Sequence, residues 1–229
     1  MSEAVLSSGA EVEAPGTKGV ADDFSRDKQV FGVPWGKAMM WIFLLSDTFI
    51  FSCFLVGYMS VRIATTDPWP SPSEVFALQA FGYDVPLLLI AIMTFVLITS
   101  SGTMALAVNM GYRKDRNKTF WLMLATAVLG ATFVSMQAYE WTKLISEGVR
   151  PWENPFGAAQ FGSSFFMITG FHGMHVSAGV IYLLVIAFRV KNGFYEKRGG
   201  NYEIVEITGL YWHFVDLVWV FIFAFFYLW

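Results

Sequence analysis

Residues 85–112 read VPLLLIAIMTFVLITSSGTMALAVNMGY, 28 positions without a single Asp, Glu, Lys, Arg or His. A helix rises 1.5 Å per residue, so about 20 apolar residues cross a hydrocarbon core of about 30 Å, and this stretch is long enough to span a bilayer. Four more stretches have the same character. Residues 38–61 carry only Asp47, 119–142 only Glu140, 154–188 only His172 and His175, and 207–229 only His213 and Asp216. The pattern predicts an all-α integral membrane protein, a bundle of five transmembrane helices with spans near 37–62, 85–112, 119–143, 160–189 and 206–229.

Composition agrees. Of the 229 residues 55% are hydrophobic and 14% charged, where a soluble domain has about 25% charged. Trp35, Trp69, Trp141, Trp152 and Trp229 fall at or near the span ends, where indoles favour the interface. A net charge of -3 and the absence of a basic run interleaved with aromatics exclude a nucleic-acid partner. Cys53 is the single cysteine, so no intrachain disulfide or cysteine cluster can form.

Residues 1–34 are polar, with Gly, Ser and Pro and no hydrophobic period, and are expected to form a loose cytoplasmic tail ahead of the 35–229 membrane domain. The tail has neither the basic start nor the short apolar core of a cleaved leader, so the first span is expected to act as the insertion signal. The loop 62–84 holds Pro68, Pro70 and Pro72 and predicts extended or interfacial structure, with the next helix opening near Gly82–Pro86. With the N-terminus inside, twelve Lys and Arg lie on the inner side and three, Arg62, Lys143 and Arg150, on the outer. The positive-inside rule therefore predicts N-in and C-out.

Ionisable groups inside a bilayer face a bundle interior or a cavity and have partners. Asp47, Glu140, His172, His175, His213 and Asp216 are the candidate intramembrane polar network. His172 and His175 are three apart and share a face, as do His213 and Asp216. The types present are compatible with a metal centre, a haem held between helices, a proton or ion pathway, or hydrogen bonds that fix helix packing. The histidine spacing and number speak against the metal centre, and a haem would have one pair of axial ligands without a confirming motif. Small residues, Ser100, Ser101 and Gly102 in the second span, Gly130 in the third, and Gly162, Ser163, Ser164, Gly170, Gly173 and Gly179 in the fourth, predict close helix contact and a central fourth helix.

Four stretches carry a resemblance. WIFLLSDTFIF at 41–51, LGATFVSMQAYEW at 129–141, FFMITGFHGMHVSAGVIYL at 165–183 and YWHFVDLVWVFIF at 211–223 are similar, in this order along the chain, to the signatures of subunit III of haem-copper terminal oxidases. The resemblance covers 35–229 and is to the five-helix bacterial form, which lacks the first helix pair of the seven-helix members and the lipid-filled cleft that pair bounds. It implies a non-catalytic subunit of a bacterial respiratory oxidase that reduces dioxygen to water with proton pumping. In that setting it stabilises subunit I, holds lipid and supports proton uptake in the cytoplasmic (inner) membrane.

The resemblance further implies no cofactor bound by this chain. Haem and copper belong to partner subunits, subunit I and subunit II are the expected protein partners, and structural phospholipid is expected. Asp47 falls where the family has its reactive intramembrane carboxyl, usually Glu, and the Ser46–Asp47 pairing looks more like the quinol oxidase branch; the donor, cytochrome c or quinol, stays open. Arg189 matches an arginine implicated in lipid contact, and Glu206, Trp212, His213 and Trp219 are the other candidate lipid-binding residues. A partner of a nitric oxide reductase and a stand-alone membrane proton or ion transporter are the alternatives.

Overall fold

The computed structural model describes residues 34–80, 83–198 and 200–228. The expectations for the polar tail ahead of Pro34 and for Trp229 lie outside them. By its contacts the chain divides into Met1–Met39, described only from Pro34 onward, and Met40–Trp229, to which the architecture below belongs.

Among the described residues five helices are long and apolar enough to cross a membrane: α1 Trp35–Ala64, α2 Leu88–Tyr112, α3 Arg116–Ser146, α4 Ala159–Lys191 and α5 Glu203–Tyr227. Several run two or three residues beyond the predicted spans. Arg116, Lys118, Lys143 and Lys191 belong to helices whose backbone bonding continues past the hydrocarbon limit, which a count of missing charges cannot register.

The loop between α1 and α2 departs from an all-helical reading. It contains a one-turn helix, Pro72–Val75, and a two-stranded antiparallel hairpin, β1 Ala77–Ala80 with β2 Tyr83–Pro86, registered Ala77 to Pro86 and Ala80 to Tyr83. The second span therefore starts at Leu88, behind Leu87 in a left-handed conformation (φ 62°), and not within 82–86. Four-residue strands are too short for alternation to stand out from the proline-rich sequence before them.

The helix ends explain why the chain turns where it does. After α2, α3 and α4 the residues Lys114, Gly148 and Gly193 have φ of 58°, 92° and 69°. Each is followed by an amide that reaches back five residues: Asp115 to Met110, Val149 to Leu144 and Phe194 to Arg189. This is the Schellman arrangement, which satisfies the last carbonyls. Asp115 then caps α3 at once, accepting from the Lys118 amide at 3.1 Å.

Packing follows a closed circuit. α2 lies against α3 and α5, and α4 lies against the same two helices. α1 joins through one stripe, Leu44, Asp47, Phe51, Leu55 and Tyr58, spaced three or four apart so that all fall on one face. Its contacts to α4 and α5 include aromatic ones: Phe51 with Phe171 (5.2 Å between centroids) and Phe214 (6.5 Å), and Tyr58 with Phe226 (4.1 Å). Lipid tails are as apolar as these side chains, so close packing and interhelical hydrogen bonds hold the bundle together.

Candidate functional site

The six intramembrane ionisable groups form separate contacts, each joining particular helices. Asp47 of α1 lies 3.1 Å from His175 of α4, Oδ2 to Nε2, with both side chains nearly buried. His175 Nδ1 is 2.9 Å from the Phe171 carbonyl. A carbonyl only accepts, so Nδ1 carries a hydrogen, and the remaining contact needs one proton between Nε2 and the carboxyl. Either a protonated carboxyl donates to a neutral ring or an imidazolium donates to a carboxylate, and the pair is neutral both ways. The Tyr211 hydroxyl donates to the His175 carbonyl at 2.9 Å and ties α5 to the same turn.

Glu140 stands in a second cluster. Its Oε2 accepts from Gln137 Nε2 at 2.7 Å, and its two oxygens accept from the Tyr227 hydroxyl at 3.3 and 3.2 Å, a bond from α5 to α3 across the circuit. His213 and Asp216 form a third with Ser101 of α2, whose hydroxyl is 2.6 Å from His213 Nδ1 and beside Asp216.

His172 differs from the rest. It is 1% exposed, and neither ring nitrogen has a hydrogen-bond partner among the described residues. It stacks on Trp219 (5.4 Å, 26°) and meets Phe133 edge-on (6.0 Å, 89°). Successive helical residues turn by about 100°, so positions three apart diverge by about 60°. That angle sends His175 toward α1 and His172 into the aromatic interior. The three imidazoles have different surroundings, and no group of three or more His, Cys, Asp or Glu among the described residues is placed to hold a metal ion.

The candidate lipid residues are not gathered at one place. Trp212 and Trp219 are 1% and 0% exposed, and their indole N–H groups donate to Ser100 Oγ (2.9 Å) and Thr94 Oγ1 (3.0 Å) of α2. They lie seven apart, hence on one face, and that face is turned inward toward α2. Glu206 is partly buried and bonded to Tyr112. Arg189 is exposed, its guanidinium 5.5 Å from the centre of the Phe194 ring.

Sequence reasoning missed the hydroxyls that complete these contacts. Thr94 and Thr169 accept from Trp219 and Trp141, and Ser100 from Trp212. Their signal was three tryptophans inside spans, each with one donor to satisfy. It also missed Gln137 and Tyr227, the donors to Glu140.

The fold and these buried contacts define a class, a multi-pass membrane protein built as a packed helix bundle. Residues 26–229 match the family described as cytochrome c oxidase subunit III. Cytochrome c oxidase subunit 3 of Rhipicephalus sanguineus is 34% identical over 200 residues, 84% of this chain and 70% of that protein. A probable quinol oxidase subunit 3 of Staphylococcus epidermidis is 32% identical over 188 residues, and one of Staphylococcus aureus 33% over 189, each match covering 82% of this chain and 86% of the relative. The chain belongs to the oxidase subunit III family, and membership implies partnership with other oxidase subunits.

Proposed function

We propose that the chain is the non-catalytic subunit III of a bacterial haem-copper respiratory oxidase, seated in the cytoplasmic membrane with its N-terminus inside and its C-terminus outside. The complex reduces dioxygen to water with proton pumping, and this subunit braces subunit I, assembles in one complex with subunit II, holds phospholipid and supports proton uptake. Haem and copper sit in the partner subunits. The observation that carries the reading is the family match over 26–229. The geometry supports it, because the intramembrane carboxyls and imidazoles join one helix to another, as bracing requires. The distribution of twelve cations against three supports the orientation.

The test is isolation in mild detergent through a tag on this chain. Co-purification of a haem-containing subunit with oxidase activity is expected. Recovery of the chain without haem proteins, or proton conduction by the chain alone in liposomes, would overturn the reading.

A further inference from the structure

Where α2 ends and α3 begins, Leu106 and Met110 of the first and Asn117, Lys118, Trp121 and Leu122 of the second line a groove of about 380 Å³. We propose that this groove is a binding site for one anionic phospholipid, its phosphate taken by Lys118 and Asn117 and an acyl chain laid along Leu106, Met110, Trp121 and Leu122. The proposal rests on the membrane-subunit reading and adds to it a site on a different face from Arg189.

The argument starts from the sequence of the turn. Residues 113–118 are Arg, Lys, Asp, Arg, Asn and Lys, four cations against one acid. Asp115 caps α3 and so occupies the Lys118 amide, which leaves recognition of an anion to side chains. Lys118 Nζ also lies 3.1 Å from Asp115 Oδ2, yet its side chain is 69% exposed. Such a pair is weak, and an ammonium has three donors of which this contact needs one. Asn117, exposed beside it, adds two amide donors.

The walls below this polar mouth are apolar. Trp121 is 65% exposed, and the neighbouring Phe120 ring, 5.2 Å away at 63°, stands against it. Phe120 also carries the Lys191 ammonium over its face at 5.0 Å. An indole at the border between charge and hydrocarbon suits the headgroup level of a bilayer. Basic side chains at that level attract anionic headgroups.

A larger groove of about 440 Å³ between α1 and α5 makes the contrast. The residues that line it carry no charged group, and the hydroxyls of Thr48, Ser52 and Ser60 are bonded to their own helix. Any hydrocarbon chain would suit it, and no feature there selects a headgroup.

The test uses the intact complex in nanodiscs of phosphatidylcholine containing a small fraction of phosphatidylglycerol with brominated chains, which quench indole fluorescence on contact. The Trp121 signal is the difference between the wild type and Trp121→Phe. Quenching by brominated phosphatidylglycerol is expected to exceed that by brominated phosphatidylcholine about threefold, to lose this preference in Lys118→Gln and in Asn117→Ala, and to keep it in Arg189→Gln. Equal quenching by the two lipids would overturn the proposal, since Trp121 would then meet only bulk lipid. Absence of quenching by either would also overturn it, because protein would cover the face. Haem content of the same preparation reports separately on the subunit reading, as the quenching ratio is read with or without haem present.

Discussion

Gly130 stands where the Trp212 indole crosses from α5 toward α3, and a Cβ added there would collide with that ring and with a Val180 methyl. Nothing flexible lies in the way: Trp212 is also held by Gly179 of α4 and by its bond to Ser100 of α2. Gly130→Ala should destabilise the bundle by about 1–3 kcal/mol, the usual range for overpacking. Gly173, in contrast, has nothing within 4 Å of the position its Cβ would take. Gly173→Ala should be neutral or stabilising by roughly 0.5–1 kcal/mol from helix propensity. Thermal melts of the complex in detergent compare the two. Both glycines carry the same signal in the sequence, and only the position of Trp212 separates them.

The Asp47–His175 contact allows a second test at this scale. In Asp47→Asn the side-chain amide can donate to a neutral Nε2, so the interhelical bond survives while the shared proton is lost. Assembly of the complex should be unchanged, measured as subunit yield per haem, and any change in proton uptake then reports on the proton. Asp47→Leu leaves the imidazole without its partner, and a buried polar group so abandoned costs about 1–3 kcal/mol. Its yield should fall. Equal yields for the two variants would mean that the bond does not anchor α1.

At the scale of the element, the α2–α3 turn is the most specific piece of local structure. Lys114 takes a left-handed conformation (φ 58°) where α3 and α4 use Gly148 and Gly193 after their last turns, and Asp115 follows as the cap. The backbone amide of Lys118, and then its ammonium, hold the Asp115 carboxyl below the usual aspartate range. A carboxyl lowered by folding contributes stability above its unfolded value, about 4, and loses it as pH falls through the folded value. Wild type should therefore melt above Asp115→Asn at neutral pH, and the gap should close as pH falls from neutral to below about 4. A gap constant across that window would deny the charged cap.

Helix number and approximate bounds were legible because missing charge is a one-dimensional signal. The rest depends on rotation about each helix axis. Apart from His213 and Asp216, residues 212–223 of α5 are apolar or aromatic on every side, so the stretch does not disclose that both indoles point inward. His172 and His175 likewise needed coordinates to show which of them faces Asp47. The hairpin at Ala77–Pro86 escaped for a different reason, since its register comes from pairing between strands too short to carry a pattern.

The whole molecule joins two kinds of attachment. α2 to α5 close a circuit in which each helix has two neighbours, while α1 is held by a single stripe and leaves most of its surface open. Such a body leaves much apolar surface exposed relative to its interior, and its charged residues gather at the turns. The sequence disclosed this division between apolar spans and charged turns directly, because both are matters of composition.

Arg189 belongs to that outer surface. It lies in the last turn of α4 and is exposed, and its backbone carbonyl closes the Schellman turn through Phe194 while its guanidinium rests 5.5 Å from the same residue's ring. The stacking fixes the fork without occupying its hydrogen-bond donors, which lie in the plane of the group and remain able to take a phosphate in two parallel bonds. Arg189→Gln should lower the phospholipid that co-purifies with the complex and shorten its active lifetime during turnover. Arg189→Lys should restore less than full retention, because an ammonium supplies charge without the fork. Lipid content by phosphorus analysis and the decay of oxygen consumption measure the two effects. Unchanged lipid and lifetime in Arg189→Gln would remove Arg189 from the lipid contacts, while a shorter lifetime at unchanged lipid would assign it to the turn that Phe194 closes.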